Sequence, residues 1–483
     1  MTLRHKTFTA VRWTTAAALS RALLQLVQVA VLARLLAPTD YGLIAMVGVV
    51  LGIAGLFSDL GLNSAYIQKQ DVAPEHRSSL FWLNVGMSSI LTILVVITSP
   101  VVAFLFGDER LTLLLISSAP VFAINAVGQQ IRMTREKELN FKPVVLLELV
   151  SALTGFATAI IAALAGLGVY SMVLGGIATA LAGTLMAWLC IAGGWRPLWR
   201  FSWADVRPYI GFGGALVAND IINQINVSID IFLGGRLLGA SQLGLFSVPR
   251  TFILQIQFLV NPIITRVGFP LIAHVQQDIP RVRSIYLKTL NMTASVNAPI
   301  YFGLLFFASE IVHVLLGHNW TGSVNFLRIL AIWGFFRSTG NPVGSLLMGM
   351  GRADLSLKWN TVMLFVIPPI LWIGSQFGAE GLAWALLGFS VVMFVPGWYI
   401  LVRPLCQAGL LEYTIAALRP MLIAIVSIAP AYWVANHLEN SLLRLFSGIA
   451  LAAPLYIVIS IKGNREWLQS MMQLIGRKNP EAS

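Results

Sequence analysis

Polar side chains recur at helical spacing inside the apolar segments of this chain, and their chemistry suits an anionic, hydroxyl-rich ligand. Arg21, Gln25 and Gln28 stand at i, i+4 and i+7 and share one helical face. Asn219, Asn223, Asn226 and Asp230 repeat the pattern, with Asp220 and Gln224 at its edge. Arg250, Gln257 and Asn261 form a third set; Arg337 sits mid-segment ahead of Ser338-Thr-Gly-Asn-Pro342, where Gly and Pro loosen a helix and Asn341 adds an amide. Guanidinium groups pair with phosphate, amides bond to hydroxyls, and the intramembrane carboxylates Asp59, Asp220 and Asp230 could couple movement to an ion. A central charge costs about 2.5 to 3.5 kcal/mol to insert, so each of these residues either serves function or neutralises another. For Asp230 and Arg250 a mutual ion pair is the competing reading. Arg21 and Arg337 have no carboxylate close in sequence, which favours a ligand role.

The elements that must position these groups are membrane helices. Of 483 residues, 57% are hydrophobic and 11% charged, against about 25% charged in a soluble domain. Apolar runs long enough to cross about 30 Å of hydrocarbon recur with short polar gaps. The pattern predicts an all-α polytopic membrane protein of fourteen helices, near 12–36, 41–66, 79–106, 111–131, 143–165, 168–192, 209–236, 242–267, 285–308, 324–350, 359–376, 381–401, 419–435 and 444–461. Residues 1–12 are basic like a signal n-region, but the stretch behind them is too long and too polar for one, so the first helix is expected to be uncleaved. With the N-terminus inside, Arg34, Arg110, Arg236 and Arg444 are the outside cations, and Arg21, Arg250, Arg328 and Arg337 lie within helices. The other Lys and Arg collect inside, which places both termini in the cytoplasm. This distribution accounts for the net charge of +12 without a nucleic-acid partner. The 195–209 loop and the amphipathic 465–478 tail read as interfacial.

An internal repeat organises the helices. Arg34-Leu-Leu-Ala-Pro-Thr-Asp-Tyr-Gly42 returns as Arg236-Leu-Leu-Gly-Ala-Ser-Gln-Leu-Gly244, and Asn125-Ala-Val-Gly128 returns as Asn341-Pro-Val-Gly344. Six helices separate equivalent positions, so the halves run parallel. The expected organisation is a six-helix lobe at 1–201, a second at 202–405, and two extra helices with the tail at 406–483. In register with the repeat, Arg21 falls opposite Asn223 and Gln28 opposite Asp230, so both stripes are expected to line one cavity. The motif itself reads as a helix hairpin: Pro38 stops and restarts the chain, Thr39 can cap and Asp40 suits the first turn. Gly48, Gly52 and Gly55 read as close helix packing.

No catalytic constellation is present. The six histidines fall in or beside loops without ligand spacing, no glycine-rich phosphate loop occurs, and Cys190 and Cys406 imply no disulfide framework. Neither an enzyme nor a cofactor or metal site is expected.

The motif Ala33-Arg-Leu-Leu-Ala-Pro-Thr-Asp-Tyr-Gly42, with Leu56-Phe-Ser-Asp-Leu-Gly-Leu-Asn-Ser-Ala65 and Leu315-Leu-Gly-His-Asn-Trp320 ahead of Leu327-Arg-Ile-Leu330, resembles the polysaccharide transporter family. That family lies within the multidrug, oligosaccharidyl-lipid and polysaccharide exporter superfamily, and the resemblance is to its colanic-acid and exopolysaccharide exporter branch. It covers nearly the whole chain and departs from the motif at Gln242, where the first copy has an acid. It implies two six-helix lobes plus two helices, alternating access, and flipping of undecaprenyl-diphosphate-linked oligosaccharide repeat units across a bacterial inner membrane for exopolysaccharide or lipopolysaccharide synthesis. The implied partners are the lipid-linked substrate, the membrane, and polysaccharide polymerase and assembly proteins, with Na+ or H+ as coupling ion. The alternatives are a cation-coupled drug exporter of the same superfamily and, further off, a membrane glycan polymerase or ligase.

Overall fold

A computed structural model describes residues 20–59, 66, 67, 69 and 73–469. The described chain is helical and without strands. In order, α1 is 20–35, α2 Pro38–Asp59, α3 Pro74–Phe106, α4 Arg110–Lys137 with a break at Ala119, α5 Phe141–Leu164 and α6 Tyr170–Ile191. The long helix Trp203–His274 is broken at Gly239 into α7 (203–238) and α8 (240–274). Then come α9 Ile279–Phe306, α10 Ser323–Thr339 continuing as Pro342–Gly349, α11 Ala353–Ser375, α12 Gly378–Cys406, α13 Leu410–Ala435 and α14 Ser441–Gly463.

Ten described helices are long and apolar enough to cross a membrane, or eleven if α9 counts with the Ala308–Leu316 segment bent 77° from it. The helices follow the order of the fourteen expected passages; α1 is described only from residue 20, and α10 is interrupted. Their outer faces are apolar. On α3, Ile90, Ile93, Ile97, Val101 and Phe104 are exposed, and this helical stripe continues the pattern of a surface solvated by lipid.

The chain divides into two compact units, Met1–Ser247 and Val248–Ser483. The lobe boundary expected from the repeat lies earlier, at 201/202, and α7 packs within the first unit. Phe232 meets Phe106 of α3 edge to face at 5.1 Å, and Arg236 Nη1 donates to the Phe104 carbonyl at 3.4 Å. Asp108, between α3 and α4, accepts from Arg110 Nε at 2.9 Å and Nη2 at 2.7 Å, and these bonds hold its carboxyl below the usual range.

Within the first unit the two copies of the repeated motif cross each other. Gly239 has φ +77° and ψ 170°, a conformation open only to glycine, and it parts α7 from α8 where Ala37 parts α1 from α2. At the crossing a Cβ on Gly42 would stand 1.8 Å from the Ala240 oxygen, and one on Gly244 would stand 1.7 Å from the Pro38 oxygen. Gly42 and Gly244 are equivalent in the repeat, as are Pro38 and Ala240. Each copy therefore lays its glycine on the first carbonyl of the other copy's helix, and the contact is two-fold symmetric. Asp40 supplies the side-chain acceptor at the start of α2, taking the Ala37 N–H at 3.1 Å.

Paired glycines recur at equivalent helix pairs. In α5 and α6, Gly155 faces the Gly175 carbonyl; in α11 and α12, Gly374 and Gly381 face each other's carbonyls. Small residues let membrane helices approach where no hydrophobic effect drives them together.

The 195–209 loop is tied to α3. Trp82 Nε1 donates to the Leu198 carbonyl at 2.8 Å, Ser78 and Ser79 hydroxyls accept from Leu198 and Ser202 N–H groups, and the Arg77 guanidinium lies 3.9 Å over Trp195. This leaves Trp199 outermost, 92% exposed. In the second unit Gly317, at φ +92°, turns the Leu315–Trp320 motif so that Trp320 is fully buried, which makes that motif an anchor.

Candidate functional site

In the first unit the expected stripe on α1 starts with an ion pair. Arg21 bonds Glu148 of α5. Arg21 thus has its carboxylate partner far away in sequence. Gln25 is exposed and Gln28 half-buried. On α7, Asp220 and Asn223 are exposed, Asn226 is half-buried and Asp230 is buried, with its Oδ1 accepting the Ile231 N–H at 2.9 Å. Gln224, at the stripe's edge, turns inward: its Nε2 donates to Ser228 at 3.1 Å and lies 2.9 Å from where a Cβ on Gly52 would be. Of the expected glycine stripe, Gly52 is therefore close-packed, Gly55 meets Phe122, and Gly48 has nothing within 4 Å. The side chains of Asn219 and Asp59 lie outside the described residues.

In the second unit Gln257 and Arg337, both candidates from sequence, come together. Arg337 Nε donates to Gln257 Oε1 at 3.2 Å, and the guanidinium lies 5.4 Å from the centre of the Trp333 ring. Arg250 is buried and Asn341 half-buried. Arg337 sits one residue before the fully buried Ser338. The Tyr301 hydroxyl bridges Ser338 Oγ at 2.7 Å and the Ile253 carbonyl at 3.1 Å. Asn261 Nδ2 donates to the Ser338 carbonyl at 3.0 Å, and Asn297 Nδ2 donates to Asn261 Oδ1 at 3.1 Å. Sequence reasoning missed Tyr301 and Asn297, although they stand at i, i+4 on α9, the spacing that picked out the other stripes.

A separate, apolar cavity of about 570 Å³ lies between α9, α13 and α14, where Val296, Ile300, Leu304, Ile428, Ile449 and Tyr456 are among its walls. Its chemistry suits a hydrocarbon chain.

The family of polysaccharide biosynthesis proteins matches residues 31–325 of this sequence. The chain belongs to this family. Similarity to two of its relatives runs almost end to end. The lipopolysaccharide biosynthesis protein WzxC of Escherichia coli K12 is 29% identical over 92% of this chain and 90% of its own length. The teichuronic acid biosynthesis protein TuaB of Bacillus subtilis 168 is 27% identical over 93% and 94%. Among solved structures, the lipid II flippase MurJ in an inward closed conformation matches with a TM-score of 0.75 over 97% of this chain and 100% of that one, at 13% identity. An inward-facing multidrug transporter of the MATE family matches at 0.54, over 86% and 98%, at 15% identity. Both are likenesses of fold. For this member of the polysaccharide biosynthesis family they place the helix order in a known polytopic architecture.

Proposed function

We propose that this chain is a flippase: it moves an undecaprenyl-diphosphate-linked oligosaccharide repeat unit from the cytoplasmic to the outer leaflet of a bacterial inner membrane by alternating access. The product feeds exopolysaccharide or lipopolysaccharide assembly by a polymerase and its associated proteins. The carrying observation is the near full-length similarity to proteins named for lipopolysaccharide and teichuronic acid biosynthesis.

Physical chemistry supports the same substrate. A diphosphate crossing hydrocarbon needs fixed cations, and Arg337, held by Gln257 in the last turn before the α10 break, offers one. Gln25, Gln28, Asn223, Asn226 and Asn341 suit sugar hydroxyls, while the α9, α13 and α14 cavity suits an isoprenoid chain. Arg21 reaches the ligand by exchanging Glu148 for a phosphate oxygen, and Asn219 and Arg250 extend the lining. Asp59, Asp220 and Asp230 are the carboxylates for coupling to Na+ or H+. Both termini face the cytoplasm, and the protein makes and breaks no covalent bond.

Deleting the gene should trap the lipid-linked repeat unit on the cytoplasmic leaflet, where it stays inaccessible to a sugar-oxidising probe added outside intact spheroplasts. A repeat unit that still reaches the outer leaflet in the deletion strain would refute the assignment.

A further inference from the structure

The break in α10, between Thr339 and Pro342 and within one turn of Arg337, is held by buried Asn261 of α8, which Asn297 of α9 bonds in turn. Pro342 has no N–H, so the Ser338 carbonyl, four residues earlier, lacks its regular helical donor. The Asn341 N–H turns back to it at 3.2 Å, and Asn261 Nδ2 completes it from α8 at 3.0 Å. A carbonyl can only accept, so Asn261 must present its amide nitrogen to Ser338 and its oxygen away. That oxygen can only receive, which fixes Asn297 to donate from α9. Asn261, Asn297 and Ser338 are all completely buried.

Gln257 and Asn261 are one turn apart on α8. The first holds the Arg337 side chain and the second holds the backbone of the next residue. Tyr301, one turn from Asn297 on α9, holds the Ser338 hydroxyl. Asn297 Oδ1 is itself buried with no donor. A core built only for stability would close α10 as a regular helix and fill these places with apolar side chains.

We propose that Asn261 and Asn297 are positioning residues for transport: by holding the α10 break they set where Arg337 presents its guanidinium to the substrate diphosphate. The proposal rests on Arg337 as the phosphate-binding cation.

The test uses full-length protein in proteoliposomes, with a fluorescent short-chain polyprenyl diphosphate disaccharide as probe and flipping expressed per folded molecule. Asn261→Leu should slow flipping by up to about 100-fold, the scale of a misplacement near 1 Å. Adding Pro342→Ala returns a backbone donor to Ser338, so Asn261→Leu/Pro342→Ala should recover the folded amount while flipping stays slow. Recovery of both, or wild-type flipping by Asn261→Leu, would overturn the positioning role. Where Asn261→Leu yields too little protein, Asn297→Leu serves, because it leaves Ser338 its donor: slowed flipping per folded molecule is expected, and unchanged flipping per folded molecule overturns the proposal. Arg337→Ala run in parallel separates the two ideas. Normal flipping by that variant sinks the Arg337 reading and this proposal with it, whereas loss there with unaltered Asn variants sinks the proposal alone.

Discussion

Replacing Gly42 by alanine tests the two-fold crossing with one methyl group. The new Cβ would stand 1.8 Å from the Ala240 oxygen and 2.7 Å from its carbonyl carbon. An ordinary carbon–oxygen approach is about 3.3 Å or more, so the two helix starts must part by roughly 1.5 Å. The obstacle is backbone, which cannot rotate aside as a side chain can. Overpacking of this kind costs about 1 to 3 kcal/mol. Gly244→Ala meets the Pro38 oxygen at 1.7 Å and should cost a similar amount. The two contacts belong to one crossing, so once the first methyl has parted the helices the second meets less resistance, and the double variant should cost clearly less than the sum of the singles. Gly48→Ala has nothing within 4 Å and should be neutral or, by helix propensity, stabilising by up to about 1 kcal/mol. Thermal unfolding of the purified variants in detergent, with export in a deletion strain, reads all four. Wild-type stability in Gly42→Ala, or strictly additive losses, would refute the crossing.

Reporter fusions at Lys137, Arg200 and the C-terminal tail should signal cytoplasm, and fusions at Asp108 and His318 periplasm; a cytoplasmic signal at Asp108 would break the expected orientation. In a cysteine-free background, cysteines at Gln28, Asn223 and Asn226 should react with a small water-soluble thiol reagent faster than cysteines at Leu26 and Ile225, and equal rates would count against a shared aqueous stripe. Gly239→Ala should destabilise by about 1 to 3 kcal/mol, because alanine is strained at φ +77° and ψ 170°; an unchanged melting temperature would show that the kink relaxes freely.

The helix order was legible because lipid demands long apolar segments, and because Pro38, Gly239 and Pro342 punctuate them. The pairing of Gln257 with Arg337 was half legible: each stood out as a polar residue at membrane depth, but nothing in their spacing said that α8 and α10 would join them. Arg21 and Glu148 show the opposite case, since a long-range ion pair leaves no local mark. The repeat revealed that Gly42 and Gly244 are equivalent. That they touch crosswise is a fact of packing, which sequence equivalence does not contain. Asn297 and Tyr301 escaped notice because their work is done on a backbone carbonyl, and a carbonyl orphaned by proline carries no side-chain signature of its own.

We propose that a lipid diphosphate crosses this protein on Arg337. The most direct measurement is the initial rate at which purified protein in proteoliposomes flips a fluorescent short-chain polyprenyl diphosphate disaccharide, at equal folded content. Wild type should flip the probe, Arg337→Ala should not, and Arg337→Lys should keep part of the rate because charge survives while the two-pronged guanidinium geometry is lost. Flipping by Arg337→Ala at the wild-type rate would show that the diphosphate crosses without this guanidinium.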